Sequence, residues 1–161
     1  MPLWLRITML STIGFALGFA GIYAYINRGA TDLAASASPD AKPASIDWAT
    51  LRELDLSTGK ASEQLKKVDG QRVKIPGFMI PLEDNQNAVT EFLLVPSPMA
   101  CIHVPPPPAN QMVHVKMTGG RKAAMSFGPI WIQGRLRISD VSGPYGKSSF
   151  EIVGELTEPY Q

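Results

Sequence analysis

Four consecutive prolines at residues 105–108 constrain the fold of this chain more than any other stretch. A proline lacks a backbone N–H and fixes its φ angle near about −65°, so this run can form neither a helix nor a central strand. Each proline also biases the residue before it towards extended backbone. The stretch is therefore predicted to be a stiff arm that leaves one strand and delivers the chain to the next.

Residues 1–28 differ in kind from the rest of the chain. No charged side chain occurs between residues 7 and 26. Twenty helical residues span about 30 Å, which is the thickness of the hydrocarbon layer of a bilayer. A short N-terminal segment of this kind usually leaves its start in the cytoplasm. We therefore predict a transmembrane helix that anchors the protein in a membrane, with the domain on the side away from the cytoplasm.

A cleavable signal helix is the alternative for the same segment. Its apolar core would be shorter, about 7 to 15 residues, and Tyr23 and Tyr25 fit a membrane interface better than a cleavage site. Residues 34–37 offer a late small-residue site, and cleavage there would release the domain from the membrane. No cysteine stands directly after the apolar run, so we do not expect a lipoprotein anchor.

The chain after the anchor divides into a linker and one domain. Residues 29–44 are rich in Ala, Ser, Pro and Asp and contain one leucine, so they cannot bury enough apolar area to offset the entropy of ordering. We predict a flexible linker here and a single domain over residues 45–161. Charged residues make up 18% of the chain and the net charge is +1, which argues against nucleic acid as a partner.

The domain is predicted to begin with one or two short helices between residues 45 and 68. Ser45 is a candidate N-cap, with Asp47 in the first turn. An apolar stripe at helical spacing follows, formed by Trp48, Leu51 and Leu54. Gly59 interrupts the pattern, and a second short helix is predicted to end at Asp69 and Gly70.

After residue 70 the apolar period changes from 3.6 to 2, which indicates strands. The predicted strands cover residues 72–80, 90–95, 111–117, 129–138 and 148–157. Three of them carry a central glycine, which lets a strand coil sharply: Gly77, Gly134 and Gly154. The predicted fold class is mainly β, a small OB-like β barrel with the N-terminal helices packed on it. A β sandwich is the alternative.

The candidate site lies around the proline arm. Cys101, His103 and His114 are all the cysteines and histidines of the chain. Cys101 and His103 are two residues apart, so their side chains point to the same side of an extended segment. His114 lies on the strand face opposite Val113 and Val115 and therefore need not be buried. The arm could return His114 towards the other two side chains.

Cysteine and histidine are ligands suited to zinc and copper. We predict a metal site made by Cys101, His103 and His114, with zinc first and copper as the other candidate. A carboxylate could complete the coordination, and the candidates are Glu83, Asp84 and Glu91. Asn110 and Gln111 are predicted to support the site by orienting an imidazole.

Other interpretations of the same stretch stay open. The cysteine could be a small buried apolar residue, and the proline arm could be a rigid loop or a docking element for a membrane complex. A thiol-dependent or metal-dependent enzyme is a third possibility. It ranks low because no strand–turn–helix elbow and no convincing oxyanion glycine lie near Cys101.

Three runs carry a family resemblance: residues 77–83 (GFMIPLE), 91–95 (EFLLV) and 101–111 (CIHVPPPPANQ). They resemble the bacterial family catalogued as domain of unknown function 3299, and the resemblance extends from about Trp48 to the C-terminus. It implies a protein exported or lipid-anchored in Gram-negative bacteria, often encoded beside an ABC transporter linked to the supply of zinc or other metals. The chain departs from the lipoprotein members in lacking an N-terminal lipidation cysteine.

Together these features predict a periplasmic accessory protein that binds a transition metal in support of a transporter. It would be held in the inner membrane facing the periplasm, or secreted to the periplasm if the N-terminal segment is cleaved. The expected partner is a metal-linked ABC transporter or another inner-membrane complex. A binding module is favoured over an enzyme, because the motif supplies metal ligands but no complete catalytic constellation.

Overall fold

The computed structural model of the protein describes residues 42–84, 88–98 and 106–160. The predicted membrane segment at residues 1–28 and most of the predicted linker lie outside these ranges. Within the three described ranges, no helix is long and apolar enough to cross a membrane.

Two short helices begin the domain. After a two-residue strand β1 (Ala44–Ser45), helix α1 covers Trp48–Arg52 and helix α2 covers Glu63–Val68. The prediction that Ser45 caps the first helix is wrong. Asp47 is the N-cap, because its carboxylate accepts hydrogen bonds from the backbone N–H and the hydroxyl of Thr50, both at 2.9 Å, and thereby satisfies a free donor of the first turn.

Five longer strands and a 3₁₀ helix follow: β2 (Arg72–Pro81), β3 (Glu91–Val95), the 3₁₀ helix (Ala109–Gln111), β4 (Val113–Met117), β5 (Ile130–Gly143) and β6 (Gly146–Pro159). The sheet order is β1-β2-β3-β4-β6-β5, and β2 also pairs with β5. The β1–β2 and β4–β6 pairs are parallel, and the other pairs are antiparallel.

These elements confirm a mainly β fold with small N-terminal helices. The strands do not form a clean barrel. The β5–β6 pair changes register at two places and extends as a hairpin to the turn at Gly143 and Gly146. The core lies between the inward faces of the strands and the two helices. Leu51 of α1 and Leu65 of α2 are fully buried in it, so the helices pack against the sheet as predicted.

Buried and more exposed side chains alternate along β2, but along β6 this alternation breaks before the strand ends. Val73, Ile75 and Met79 are buried on one face of β2, as the sequence predicts. Strict alternation along β6 would place Leu156 on the same face as Phe150 and Ile152, but Leu156 is 45% exposed. The reason is a bulge: Gly134 pairs with Gly154 while Gln133 pairs with Leu156, so one extra residue on β6 reverses the faces beyond it.

Candidate metal centre

His114 lies on the outward face of β4, between strands β3 and β6. Its register partners are Leu93 on β3 and Glu151 on β6. Its neighbours along the strand, Val113 and Val115, point into the core. His114 is nevertheless only 8% exposed, so the expectation that it need not be buried does not hold. Strand β4 is covered on both faces at this point.

A second apolar layer lies on this outward face. Leu93, Val95 and Met112 are buried, yet they do not belong to the core cluster of buried residues found in the described part of the chain. They share the outward face with His114, because side chains alternate along β3 and β4. The imidazole therefore shares this face with apolar side chains and is largely shielded from solvent.

The two ring nitrogens of His114 have different surroundings. Nε2 lies 2.7 Å from Oε1 of Glu91, within hydrogen-bond distance. Nδ1 is buried and has no hydrogen-bond partner within the residues that the structure describes. An unpaired buried polar atom costs about 1–3 kcal/mol, and buried polar atoms in folded proteins almost always have a partner such as a protein group, a water or an ion. A ring nitrogen in this state is suited to bind a metal ion.

The carboxylates proposed to complete the coordination are held in different ways. Glu91 faces Nε2 of His114, as described above. Glu83 accepts a hydrogen bond from the hydroxyl of Thr90, and Asp84 is exposed. Over residues 42–84, 88–98 and 106–160, no group of three or more His, Cys, Asp or Glu side chains is arranged to hold a metal ion.

Cys101 and His103 lie outside the described residues. Their convergence with His114 therefore stays a prediction. Of the three predicted ligands, His114 lies within the described residues, and its buried Nδ1 atom has no hydrogen-bond partner among them.

Asn110 and Gln111 belong to the 3₁₀ helix that ends the proline arm. The side-chain amide of Asn110 donates to the carbonyl of Leu54 at 3.0 Å and lies 3.5 Å from the carbonyl of Arg52. Its Oδ1 atom is the acceptor that could orient an imidazole. The backbone N–H of Gln111 donates to the carbonyl of Pro108 at 2.8 Å, so the arm is joined to the 3₁₀ helix by a local turn.

Sequence reasoning missed the second apolar layer around His114. A signal for it was present, because residues 92–95 form an unbroken apolar run instead of an alternating one. Such a run is typical of a strand that is buried on both faces.

These features define a class of protein: a small, mainly β domain with short N-terminal helices and a histidine buried on the outward face of its sheet. The model for the family described as protein of unknown function (DUF3299) matches residues 40–159, and the chain belongs to this family. It is similar to the crystal structure of a DUF3299 family protein from Pseudomonas aeruginosa PAO1, with 32% sequence identity and a TM-score of 0.60. The match covers 75% of this chain and 98% of that chain. No curated protein matches the chain.

Proposed function

We propose that this protein is a periplasmic accessory protein that binds a transition metal, zinc first and copper second, in support of an inner-membrane transporter. The observation that carries the proposal is the buried Nδ1 atom of His114, which has no partner among the described residues. A metal ion is the occupant that suits this nitrogen, because imidazole is a preferred ligand of zinc and copper.

Chain length supports a contribution from Cys101 and His103. Cys101 follows Pro98 by three residues and His103 precedes Pro106 by three. Since a residue spans at most about 3.6 Å, each Cα atom lies within about 11 Å of a described residue. The segment connects β3 with β4, and these two strands are hydrogen-bonded neighbours. A site shared with His114 is within reach of the chain.

The donor set fits the supply of a metal better than its permanent storage. A thiolate and two imidazoles fill three positions of a tetrahedral zinc site and leave one position open. Glu83 is the carboxylate candidate for that position and already accepts a hydrogen bond from Thr90, whereas Glu91 contacts His114. A position left to water or to a partner's side chain would let the ion be handed on.

The strands from β2 to β6 pair in a ring, and the parallel contact between β4 and β6 closes it, which supports a distorted OB-like barrel. The charge-free run at residues 7–26 supports a membrane anchor or a signal helix. The transporter, a metal-linked ABC system, is the partner that the family resemblance implies.

The test is the metal content and metal affinity of the full chain purified in detergent. We expect one zinc ion per chain, with a weaker affinity below neutral pH because the thiol must ionise to bind. Cys101→Ser should lose more affinity than His114→Ala, since a thiolate supplies a charge as well as a donor atom. Glu151→Gln, at the register partner of His114 on β6, is the matched control for an acidic residue near the site and should keep the affinity of the wild type. Equal zinc retention by the wild type and Cys101→Ser would refute the proposal.

A further inference from the structure

The two ring nitrogens of His114 differ in their surroundings, and the difference defines a role for the neighbouring Glu91. We infer that Glu91 is a positioning residue, which fixes the ring of His114 in the tautomer with hydrogen on Nε2 and so presents Nδ1 as the nitrogen for a ligand. The assignment of the tautomer stands on the geometry of the two residues alone. The identity of the ligand as a metal ion rests on the proposed function.

Strand pairing brings the two side chains together. His114 of β4 lies opposite Leu93 of β3, and Glu91 is two residues from Leu93, on the same outward face. A diagonal pair of this kind is within reach of long side chains. The contact is therefore set by the backbone register and does not depend on a mobile loop.

The carboxylate determines which nitrogen carries the hydrogen. An ionised carboxylate has only acceptor atoms, and Oε1 of Glu91 lies 2.7 Å from Nε2, so Nε2 must donate. A neutral imidazole has one donor and one acceptor nitrogen. Nδ1 then carries the free lone pair, which agrees with its burial without a hydrogen-bond partner among the described residues.

This arrangement is the one that metal-binding histidines use. Their second nitrogen donates to a carboxylate or a carbonyl, which orients the ring and makes the ligating nitrogen a stronger donor. Glu91 thus acts through His114 and is not itself a ligand. The site selects a borderline or soft ion such as zinc or copper, because calcium and magnesium require several oxygen ligands.

The experiment compares two variants with the same change of charge. In Glu91→Gln the carboxamide can either accept from Nε2 or donate to it, so the hydrogen is no longer fixed. In Glu151→Gln a carboxylate is removed from the register partner of His114 on the opposite strand, β6. Nitrogen-15 NMR of the metal-free full chain reports the tautomer of His114, and competition with a chromogenic chelator reports the affinity for zinc.

We expect the Nε2–H tautomer in the wild type and in Glu151→Gln, and a mixture of tautomers in Glu91→Gln. Zinc affinity should fall by about 10- to 100-fold in Glu91→Gln and remain unchanged in Glu151→Gln. Hydrogen on Nδ1 in the metal-free wild type would overturn the inference, and so would equal losses of affinity in the two variants. A wild type that shows the Nε2–H tautomer but holds no zinc would refute the proposed function and leave the role of Glu91 in place.

Discussion

The side-chain amide of Asn110 donates a hydrogen bond to the carbonyl of Leu54 at 3.0 Å. This bond joins the residue just after the proline arm to the residues that follow α1, across 56 positions of sequence. Leu54 is itself buried in the core. The point at which the arm re-enters the domain is therefore fixed by the first helix, and His114 follows Asn110 by four residues.

Replacing Asn110 should destabilise the domain. Asn110→Ala removes the side-chain donor that the 3₁₀ helix offers to the Leu54 carbonyl. We expect the free energy of unfolding to fall by about 1–2 kcal/mol. Urea denaturation at 25 °C measures the change. Gln111→Ala is the matched control in the same turn and should change the stability by less than half as much. Equal losses in the two variants would contradict the role of the Asn110 bond.

Gly134 allows β5 and β6 to approach closely at the bulge. A Cβ atom there would clash with the carbonyl oxygen of Val153 and come within 2.7 Å of Cγ2 of Ile152. Gly134→Ala should therefore lower the free energy of unfolding by about 1–3 kcal/mol, because overpacking forces the strands apart. Thermal denaturation followed by circular dichroism measures it.

Gly128→Ala is the control for this substitution. The nearest atom to a Cβ at Gly128 is Oγ of Ser126, at 3.9 Å, so the added methyl group has room. This variant should unfold within a degree or two of the wild type, whereas a comparable loss would show that any glycine-to-alanine change is harmful here.

The loop between α1 and α2 should contribute to stability in a pH-dependent way. Hydrogen bonds from Ser57 and Thr58 lower the pKa of Asp55 from 3.8 to about 2. Because the folded pKa lies below the unfolded one, the contribution of Asp55 is fully present above about pH 4 and is lost as the pH falls through about 2. The difference in melting temperature between the wild type and Asp55→Ala should be constant from pH 5 to 7 and shrink between pH 4 and 2.

Asp84→Ala serves as the comparison, because it removes an exposed carboxylate from a different loop. Its melting temperature should follow the wild type over the same pH range. A difference for Asp55→Ala that grows as the pH falls from 4 to 2 would contradict the assignment.

The predicted topology places the C-terminus in the periplasm. Alkaline phosphatase fused after Gln161 should be active, because the enzyme folds only outside the cytoplasm. Activity of a cytoplasmic reporter at the same position, together with an inactive phosphatase fusion, would refute the topology. A mature N-terminus near Ala37 would instead identify residues 1–28 as a cleaved signal segment.

Periodicity predicted the inward faces of the strands but not their ends. Val73 and Ile75 are buried as expected because one face of β2 packs on the core. The β5–β6 hairpin extends beyond the predicted strands, to Gly143 and Gly146, because backbone hydrogen bonds pair residues of any polarity. The exposure of Leu156 depends on a one-residue bulge, which alternation along a single strand cannot reveal.

The residue types of the candidate site could be read from the sequence, but the environment of His114 could not. Alternation places His114 outside the core, and that part is correct. Its burial arises from a second layer that includes Met112 and Leu93, and Leu93 is distant in sequence and reaches His114 only through strand pairing. The contact with Glu91 likewise requires the register of β3 and β4, which tertiary structure sets.

The parallel pairing of β4 with β6 makes the middle of the chain depend on its end. During synthesis β4 can pair with β3 as soon as both have emerged, but its other edge stays open until residues 150–154 are made. Strand β4 carries buried side chains on both faces. A nascent or truncated chain would therefore expose unpaired backbone N–H and C=O groups along an edge flanked by apolar side chains. Pairing with β6 thus covers a strand edge that would otherwise be free to pair with another chain.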